Sequence, residues 1–411
     1  MSGVVIVGAG QAAAQAALSL RDGGYQAPVT LVGEESEQPY QRPPLSKAYM
    51  LGKADEAALR VRQPDLYAAQ DIRVVTGERV EAIDRASRRV SLACGGELAY
   101  DHLILATGAR NRALPVRGAD LDGVFMLRTL EDARRLRARL TTARRAVVVG
   151  AGFIGLEFAA VAAKSGCAVE VIEAAERVMA RAVSPFMSVF FAQAHRDMGV
   201  VFHFAEGVLA ITGADGEAAE VHTTSGRRVA ADLVVVGIGV IPNVELAEAA
   251  GLATGNGICT DADLLTSDPS ISAIGDCASS PSPFADGPVR IESVQNATDQ
   301  ARAVARRLCG RPAPYGAVPW FWSDQGAHKL QIAGLGRPDD ETLVLGDPST
   351  GRFSVCRFHR GRLACVESVN RAADHMAMRK LLQSGGTPSM EVVATPGFDL
   401  KAFVAALPTA A

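Results

Sequence analysis

The chain runs to 411 residues, 48% of them apolar and 21% charged, with a formal net charge of −3. That is long enough for two or three domains with cores of their own, too apolar for a disordered chain, and too near neutral to suggest nucleic acid as a partner. No stretch reaches the roughly 18 uninterrupted apolar residues of a membrane span. The start, MSGVVIVGAG, enters a strand pattern at once rather than a signal peptide, so a cytoplasmic protein is expected.

The first element is the apolar run VVIVGAGQAA (Val4 to Ala13), which feeds a glycine turn and then the helical pattern QAAAQAALSL. A strand buried on both faces reads as a continuous Val/Ile run. In such a turn Gly8 permits the tight bend, Gly10 lets a pyrophosphate approach the backbone, and the small Ala13 lets helix and strand pack closely. Free N–H groups and the positive end of the helix then hold phosphate. The next strand, VTLVGEE, ends in Glu34 and Glu35, either of which is placed to accept hydrogen bonds from ribose hydroxyls.

QPYQRPPLSKAYM follows (residues 38 to 50), with two adjacent prolines, a lysine and no cysteine. A strand-rich stretch, VEAIDRASRRVSLACGGELAYD, leads to HLILATGAR, His102 to Arg110. The design then repeats. AVVVGAGFIG (Ala146 to Gly155) carries Gly150, Gly152 and Gly155; LEFAAVAAKSG reads as helix, VEVIE ends at Glu173, and a second meander leads to LVVVGIGVIPN, Leu233 to Asn243. Two complete fingerprints imply two Rossmann-like domains and two dinucleotides, most economically a bound flavin and an exchanging nicotinamide. A carboxylate at Glu173 welcomes a free 2′-hydroxyl and repels a 2′-phosphate, which favours NADH; Arg177 and Arg181 follow closely enough to soften that choice.

From about Pro319 the pattern changes to short strands (KLQIAG, TLVLG, RFSVCRFHRGRLACVESV) and a helix-like NRAADHMAMRKLLQSG, a separate α+β domain. Alternation puts Trp320 and Trp322 on one strand face. The tail TPSMEVVATPGFDLKAFVAALPTAA shows only weak patterning. The seven cysteines form no CxxC pair and the seven histidines no HExxH, so neither a metal nor an iron–sulfur cluster is expected in the chain.

In this order the motifs resemble the two-dinucleotide-binding-domain flavoproteins of the glutathione-reductase-like fold. The resemblance implies a discontinuous FAD domain (1–112 and 245–318), an inserted NAD domain (113–244) and a C-terminal domain (319–405) that covers the flavin. TSDPSISAIGD, Thr266 to Asp276, matches the return segment whose Asp contacts the ribityl chain. No cysteine pair stands near residues 40 to 50, so a thiol relay from that segment is excluded.

PPLSK, LRTLEDARRL, GAGFIGLEFAA, GVIPNVELAEAAGL, ESVQNATDQA and PWFWSDQ resemble the ferredoxin reductases of bacterial oxygenase systems, a putidaredoxin reductase-like group. That resemblance implies tightly bound FAD, exchanging NADH, and single electrons passed to an acidic [2Fe–2S] ferredoxin serving a P450 or dioxygenase. It places Gly8, Gly10, Ala12, Ala13, Glu34, Lys47, Val80, Ala106, Thr107, Gly108, Arg128, Asp276, Val294 and Trp322 at FAD. Gly150, Gly152, Phe153, Ile154, Gly155, Glu173 and Gly239 fall at NAD. Lys47 is expected beside the reactive edge of the flavin, aimed by Pro43 and Pro44. Glu157 is expected to face the nicotinamide and pair with that lysine. The ferredoxin is expected to dock near Trp322, on basic residues drawn from Arg302, Arg306, Arg307, Arg311, Lys329, Arg379 and Lys380. His328 and His375 match no catalytic motif. Reductases for rubredoxin, quinone or an ascorbate radical share the fold and the missing cysteines. A redox-sensing flavoprotein of the apoptosis-inducing-factor kind is the rival from another class.

Overall fold

A computed structural model of the chain describes residues 2–407. Its residues divide into two units: Met1–Gln41, Glu56–Arg110 and Ile241–Pro319 form one, and Arg42–Asp55, Asn111–Val240 and Trp320–Ala411 the other.

The first unit is built on a parallel sheet in the order Ile271–Ala273, His102–Leu105, Val4–Val7, Val29–Val32, Ile72–Val75. Strands Val4–Val7 and His102–Leu105 are buried at every residue, which is why they are unbroken apolar runs apart from His102. One face is covered by helix Gln11–Asp22 packed on helix Val294–Leu308. Their alanine faces (Ala12, Ala13, Ala16, Ala17, Ala297, Ala301) allow close approach. On the other face Val5, Val7 and Val32 join Val80, Val90 and Tyr100, from the small antiparallel sheet Val80–Asp84, Arg89–Leu92, Glu97–Ala99 and its edge.

The second unit repeats the plan. Its parallel sheet runs Val200–His203, Ala168–Ile172, Arg145–Val149, Leu233–Val236, Val124–Met126, with helix Phe153–Lys164 following the central strand. The same unit holds an antiparallel sheet in the order Trp320–Gln325, His328–Gly334, Arg362–Val369, Arg352–His359, Glu341–Asp347, covered by helix Ala372–Ser384. The weakly patterned tail forms two short helices, Met390–Val393 and Leu400–Ala405, whose Val393 and Leu400 close that domain's apolar cluster. Helices of four and six residues are too short for a helical period to show in the sequence.

Candidate functional site

In both parallel sheets the central strand ends in a glycine at positive φ: Gly8 at 118° and Gly150 at 100°. A Cβ on Gly8 would lie 2.2 Å from the Ala106 carbonyl oxygen, and one on Gly150 2.6 Å from that of Gly237. The bend therefore requires glycine sterically as well as conformationally. Gly155 is held by packing, since its Cβ would meet the Gly150 oxygen at 2.3 Å and Val148 Cγ1 at 3.2 Å. Gly10 and Gly152 differ. Each is the N-cap of a 12-residue helix, neither helix has a side-chain cap or an acid in its first turn, and a Cβ on Gly10 meets nothing within 4 Å. On Gly152 the nearest atom is 3.9 Å away. Elsewhere side chains of Thr129, Ser184, Ser293 and Asp399 cap helix starts. Two helix N-termini left with free N–H groups and open space in front of glycine fit the pyrophosphates of two dinucleotides.

The carboxyl ends of the first unit's strands gather most of the expected FAD residues. Gly8 follows Val4–Val7; Ala106, Thr107 and Gly108 follow His102–Leu105; and Gly275–Asp276 follow Ile271–Ala273, where a Cβ on Gly275 would touch Ala12 Cβ at 3.1 Å. Val294 opens the helix whose Gln300 Oε1 accepts the Gly275 N–H at 2.7 Å. Val80 buries its side chain in the apolar cluster with Val5 and Val7. Lys47, Arg128 and Trp322 belong to the second unit.

The acids that end the second strands are not equivalent. Gly8 N–H bonds Val32 O and Gly150 N–H bonds Ile172 O, so Glu173 corresponds in register to Gly33, with Glu34 one residue beyond. Glu173 accepts the N–H groups of Ala151 at 2.5 Å and Ala175 at 2.8 Å, pinned to the glycine turn. Glu34 is largely exposed, with Arg79 3.8 Å away. Gly33 leaves room for the first turn, since a Cβ there would lie 2.4 Å from Ala9 Cβ.

Within the second unit the segment 42–55 brings a charge to the fingerprint helix. Pro43 and Pro44 start a 3-10 turn, Pro43–Ser46, whose C-cap is Lys47. Arg42 ties the turn to the Arg128 carbonyl at 2.6 Å, and the Arg137 guanidinium lies 5.1 Å over the Tyr49 ring. Lys47 Nζ stands 3.0 Å from Glu157 Oε1 and 3.4 Å from Asp324 Oδ2. Glu157 projects from helix Phe153–Lys164 and is 6% exposed; Ser46 Oγ and Ser323 Oγ each donate to it at 2.5 Å. Burial pushes its carboxyl above the ordinary value, and the Lys47 ammonium with the two hydroxyls pulls the other way. A lysine with one buried, anchored carboxylate and one half-exposed partner is a fixed positive charge of defined position.

Residues 2–301 match the pyridine nucleotide-disulphide oxidoreductase family and residues 320–404 the reductase C-terminal family. The chain belongs to the pyridine nucleotide-disulphide oxidoreductases. Rhodocoxin reductase of Rhodococcus erythropolis is 50% identical over 98% of this chain and 94% of its own. Among solved structures, the ferredoxin reductase for the CYP199A2 system of Rhodopseudomonas palustris has a TM-score of 0.96 at 47% identity, covering 98% of this chain and all (100%) of its own. The covalent putidaredoxin reductase–putidaredoxin complex has a TM-score of 0.95 at 41% identity and 98% coverage of both chains.

In this oxidoreductase, five functional-site neighbours escaped the motif reading: Ser46, Asp324, Ser323, Gln325 and His195. The first four lie inside PPLSK and WFWSDQ, whose motif reading rests on the prolines, the lysine and the tryptophans. Two expectations are corrected. Arg307 does not face a partner, because its Nη2 donates to buried Ser272 at 2.5 Å, beside His102. Arg177 is used inside the fold, donating to the Val183 and Ala180 carbonyls and to Ser188 Oγ, which leaves it unsuited to a 2′-phosphate. Of the tryptophans, Trp320 packs on the C-terminal domain's cluster, with its ring 5.7 Å from that of half-buried Trp322. Phe153 packs its ring 4.6 Å from Phe321, whereas Ile154 is 39% exposed at the helix start. Gly239, at φ 107°, follows strand Leu233–Val236. No helix among the described residues is long and apolar enough to cross a membrane.

Proposed function

We propose that this chain is an NADH-dependent ferredoxin reductase that binds FAD tightly and passes single electrons to a [2Fe–2S] ferredoxin of a P450 or dioxygenase system. The observation that carries the reading is the Lys47–Glu157 pair, standing in a segment without cysteine on the unit that also bears the uncapped helix start at Gly152. A bound FAD supplies the chemistry of taking up two electrons as hydride and releasing them one at a time. The chain's own residues bind and position. Gly8, Gly10, Ala12 and Ala13 receive the FAD pyrophosphate at the helix start, and Asp276 and Val294 lie at the same sheet end. Lys47 places a positive charge where negative charge develops during reduction, a preorganised electrostatic role. Gly150, Gly152 and Gly155 receive the nicotinamide dinucleotide, and Glu173 meets the ribose hydroxyls, which supports NADH over NADPH; Arg177 is used inside the fold, and exposed Arg181, beside Gly239, is the cation left to soften that choice.

For the acceptor, Trp320, Trp322 and Asp324 alternate on one face of their strand, Lys329 lies opposite Asp324 on the next, and Arg379 stacks 4.5 Å over Trp320. Together with exposed Lys380 these groups suit an acidic partner beside Trp322. Arg302, Arg306 and Arg311 are exposed on and just after helix Val294–Leu308 and remain candidates.

The test is anaerobic: mix the yellow protein with NADH or NADPH, then add a [2Fe–2S] ferredoxin from the same genome. Fast flavin bleaching by NADH followed by bleaching of the iron–sulfur band supports the reading. Flavin reduction with no transfer to any such ferredoxin overturns the acceptor and points to rubredoxin, quinone or a sensing role.

A further inference from the structure

Behind the Lys47–Glu157 pair runs a buried polar chain. Ser323 Oγ lies 2.5 Å from Glu157 Oε1, Gln325 Nε2 lies 2.9 Å from Ser323 Oγ, and His195 Nε2 lies 3.0 Å from Gln325 Oε1. Ser323, Gln325 and His195 have no solvent exposure (0% each). The direction of every proton follows from one backbone group. Gln325 Nε2 also donates to the Phe153 carbonyl at 3.2 Å. Turning the amide over would set its oxygen against that carbonyl, so the NH2 group must face Phe153 and Ser323. The amide oxygen then faces His195 and can only accept, which makes the imidazole the Nε2–H tautomer. Its Nδ1 is left without a hydrogen-bond partner, as a buried lone pair, and burial lowers the His195 pKa to about 4. Ser323, which accepts from Gln325, has its own hydrogen free for Glu157. Each donor thus points toward the carboxylate, and each bond polarises the next.

We propose that Ser323 and Gln325 are positioning residues for hydride transfer, a one-directional hydrogen-bond chain from His195 that holds Glu157 as the charged acceptor of Lys47 and ties that pair to the first residue of the nucleotide-binding helix. The proposal rests on the reading of Lys47 and Glu157 given above. Its two middle members, Ser323 and Gln325, lie on the strand that bears Trp322, so one strand supplies both the expected acceptor-side tryptophan and groups that hold the pair. The charged and titratable groups facing Glu157 are Lys47 from the proline turn, Asp324 from the same strand as Ser323, and His195 through Gln325. Of these, Lys47 contacts it directly and Asp324 acts through Lys47, while the hydroxyls of Ser46 and Ser323 supply its uncharged contacts.

Ser323→Ala, Ser323→Thr and Gln325→Met are compared with Glu157→Gln and Lys47→Met. Two readouts are taken: the anaerobic rate of flavin reduction by NADH against pH, and the protonation of Glu157 against pH in the flavin-free protein. The second is read from the carboxyl infrared band that Glu157→Gln removes. Loss of a hydrogen bond to a charged carboxylate is expected to move both transitions up by about one pH unit in Ser323→Ala, with Ser323→Thr close to the parent. Gln325→Met should release His195 from its single tautomer in the nitrogen-15 imidazole spectrum and slow flavin reduction by about threefold or more, with the Kd for NADH held within about twofold. Unchanged transitions in Ser323→Ala, or equal loss in Ser323→Thr, overturn the chain. If Lys47→Met and Glu157→Gln leave reduction at its parent rate, the pair's role falls, and the chain's with it.

Discussion

Gly10 and Gly152 show how a single atom separates folding from binding. Alanine fits at both, because φ there is −87° and −77° and the space in front is open. Gly10→Ala is therefore expected to leave the Tm of the flavin-free protein within about 2 °C while cutting FAD incorporation by about tenfold, read from the visible spectrum of the purified protein. Gly152→Ala should raise KM for NADH by a similar factor with FAD content unchanged. A Cβ there meets no protein atom closer than 3.9 Å, so its expected cost falls on the proposed phosphate contact. At Lys47 the stakes are electrostatic. Lys47→Met strands the Glu157 carboxylate in a buried site, and breaking such a pair costs about 3–5 kcal/mol. A carboxyl whose folded pKa lies above its unfolded one stabilises most below the unfolded value and loses that stability as pH rises through the folded value. The Lys47→Met deficit in Tm should accordingly be smallest near pH 4.5 and grow toward neutrality, and adding Glu157→Gln should recover much of it.

Helix Pro185–Asp197 illustrates an element whose start depends on a distant strand. Its N-cap Ser184 accepts from Met187 N–H at 3.3 Å. It also donates Oγ–H and N–H to the two oxygens of Glu367 at 2.6 and 2.8 Å, and Glu367 takes Arg357 Nη1 at 2.9 Å. Ser184→Ala removes a cap and a donor to a buried carboxylate together, so a loss of about 1–3 kcal/mol in urea unfolding is expected, with flavin content retained. Locally the helix start is made by Pro185 at the first helical position and by the cap of Ser184. Its second role, as partner to Glu367, lies 183 residues away and leaves no local trace. The two tail helices are hidden for the opposite reason, being too short for any period.

Across the whole molecule three buried histidines set the response to acid. Burial lowers His102 to about 3 and His195 and His375 to about 4, from an ordinary 6.5. Each is buried neutral, so the unfolded chain binds more protons between the folded and unfolded values. The stabilisation is complete above about pH 6.5 and is lost as pH falls toward 4 and 3. A tenfold difference in proton affinity between the folded and unfolded chain is worth about 1.4 kcal/mol, so Tm should climb from about pH 4.5 to 7. His102→Gln, which keeps a partner for Ser272, should flatten that climb as measured by calorimetry; an equally steep climb in the variant would show that other groups set it.

What the sequence determined by itself was whatever is local and repeated. Each strand–glycine–helix unit advertises itself within about 30 residues through an apolar run, a turn and a small packing residue, and two copies in one chain fix the α/β class and the demand for two dinucleotides. The missing cysteines excluded a thiol relay for the same reason, since such a pair sits on one short segment. Only the tertiary structure decided which groups meet. Ser46 and Ser323 reach Glu157 across 111 and 166 residues, Arg307 turns inward to Ser272, and Glu34 stands one register beyond the place that Glu173 fills. Hydrogen-bond partners are chosen by the packing of elements remote in the chain. A pattern of neighbours along the sequence carries no record of that choice.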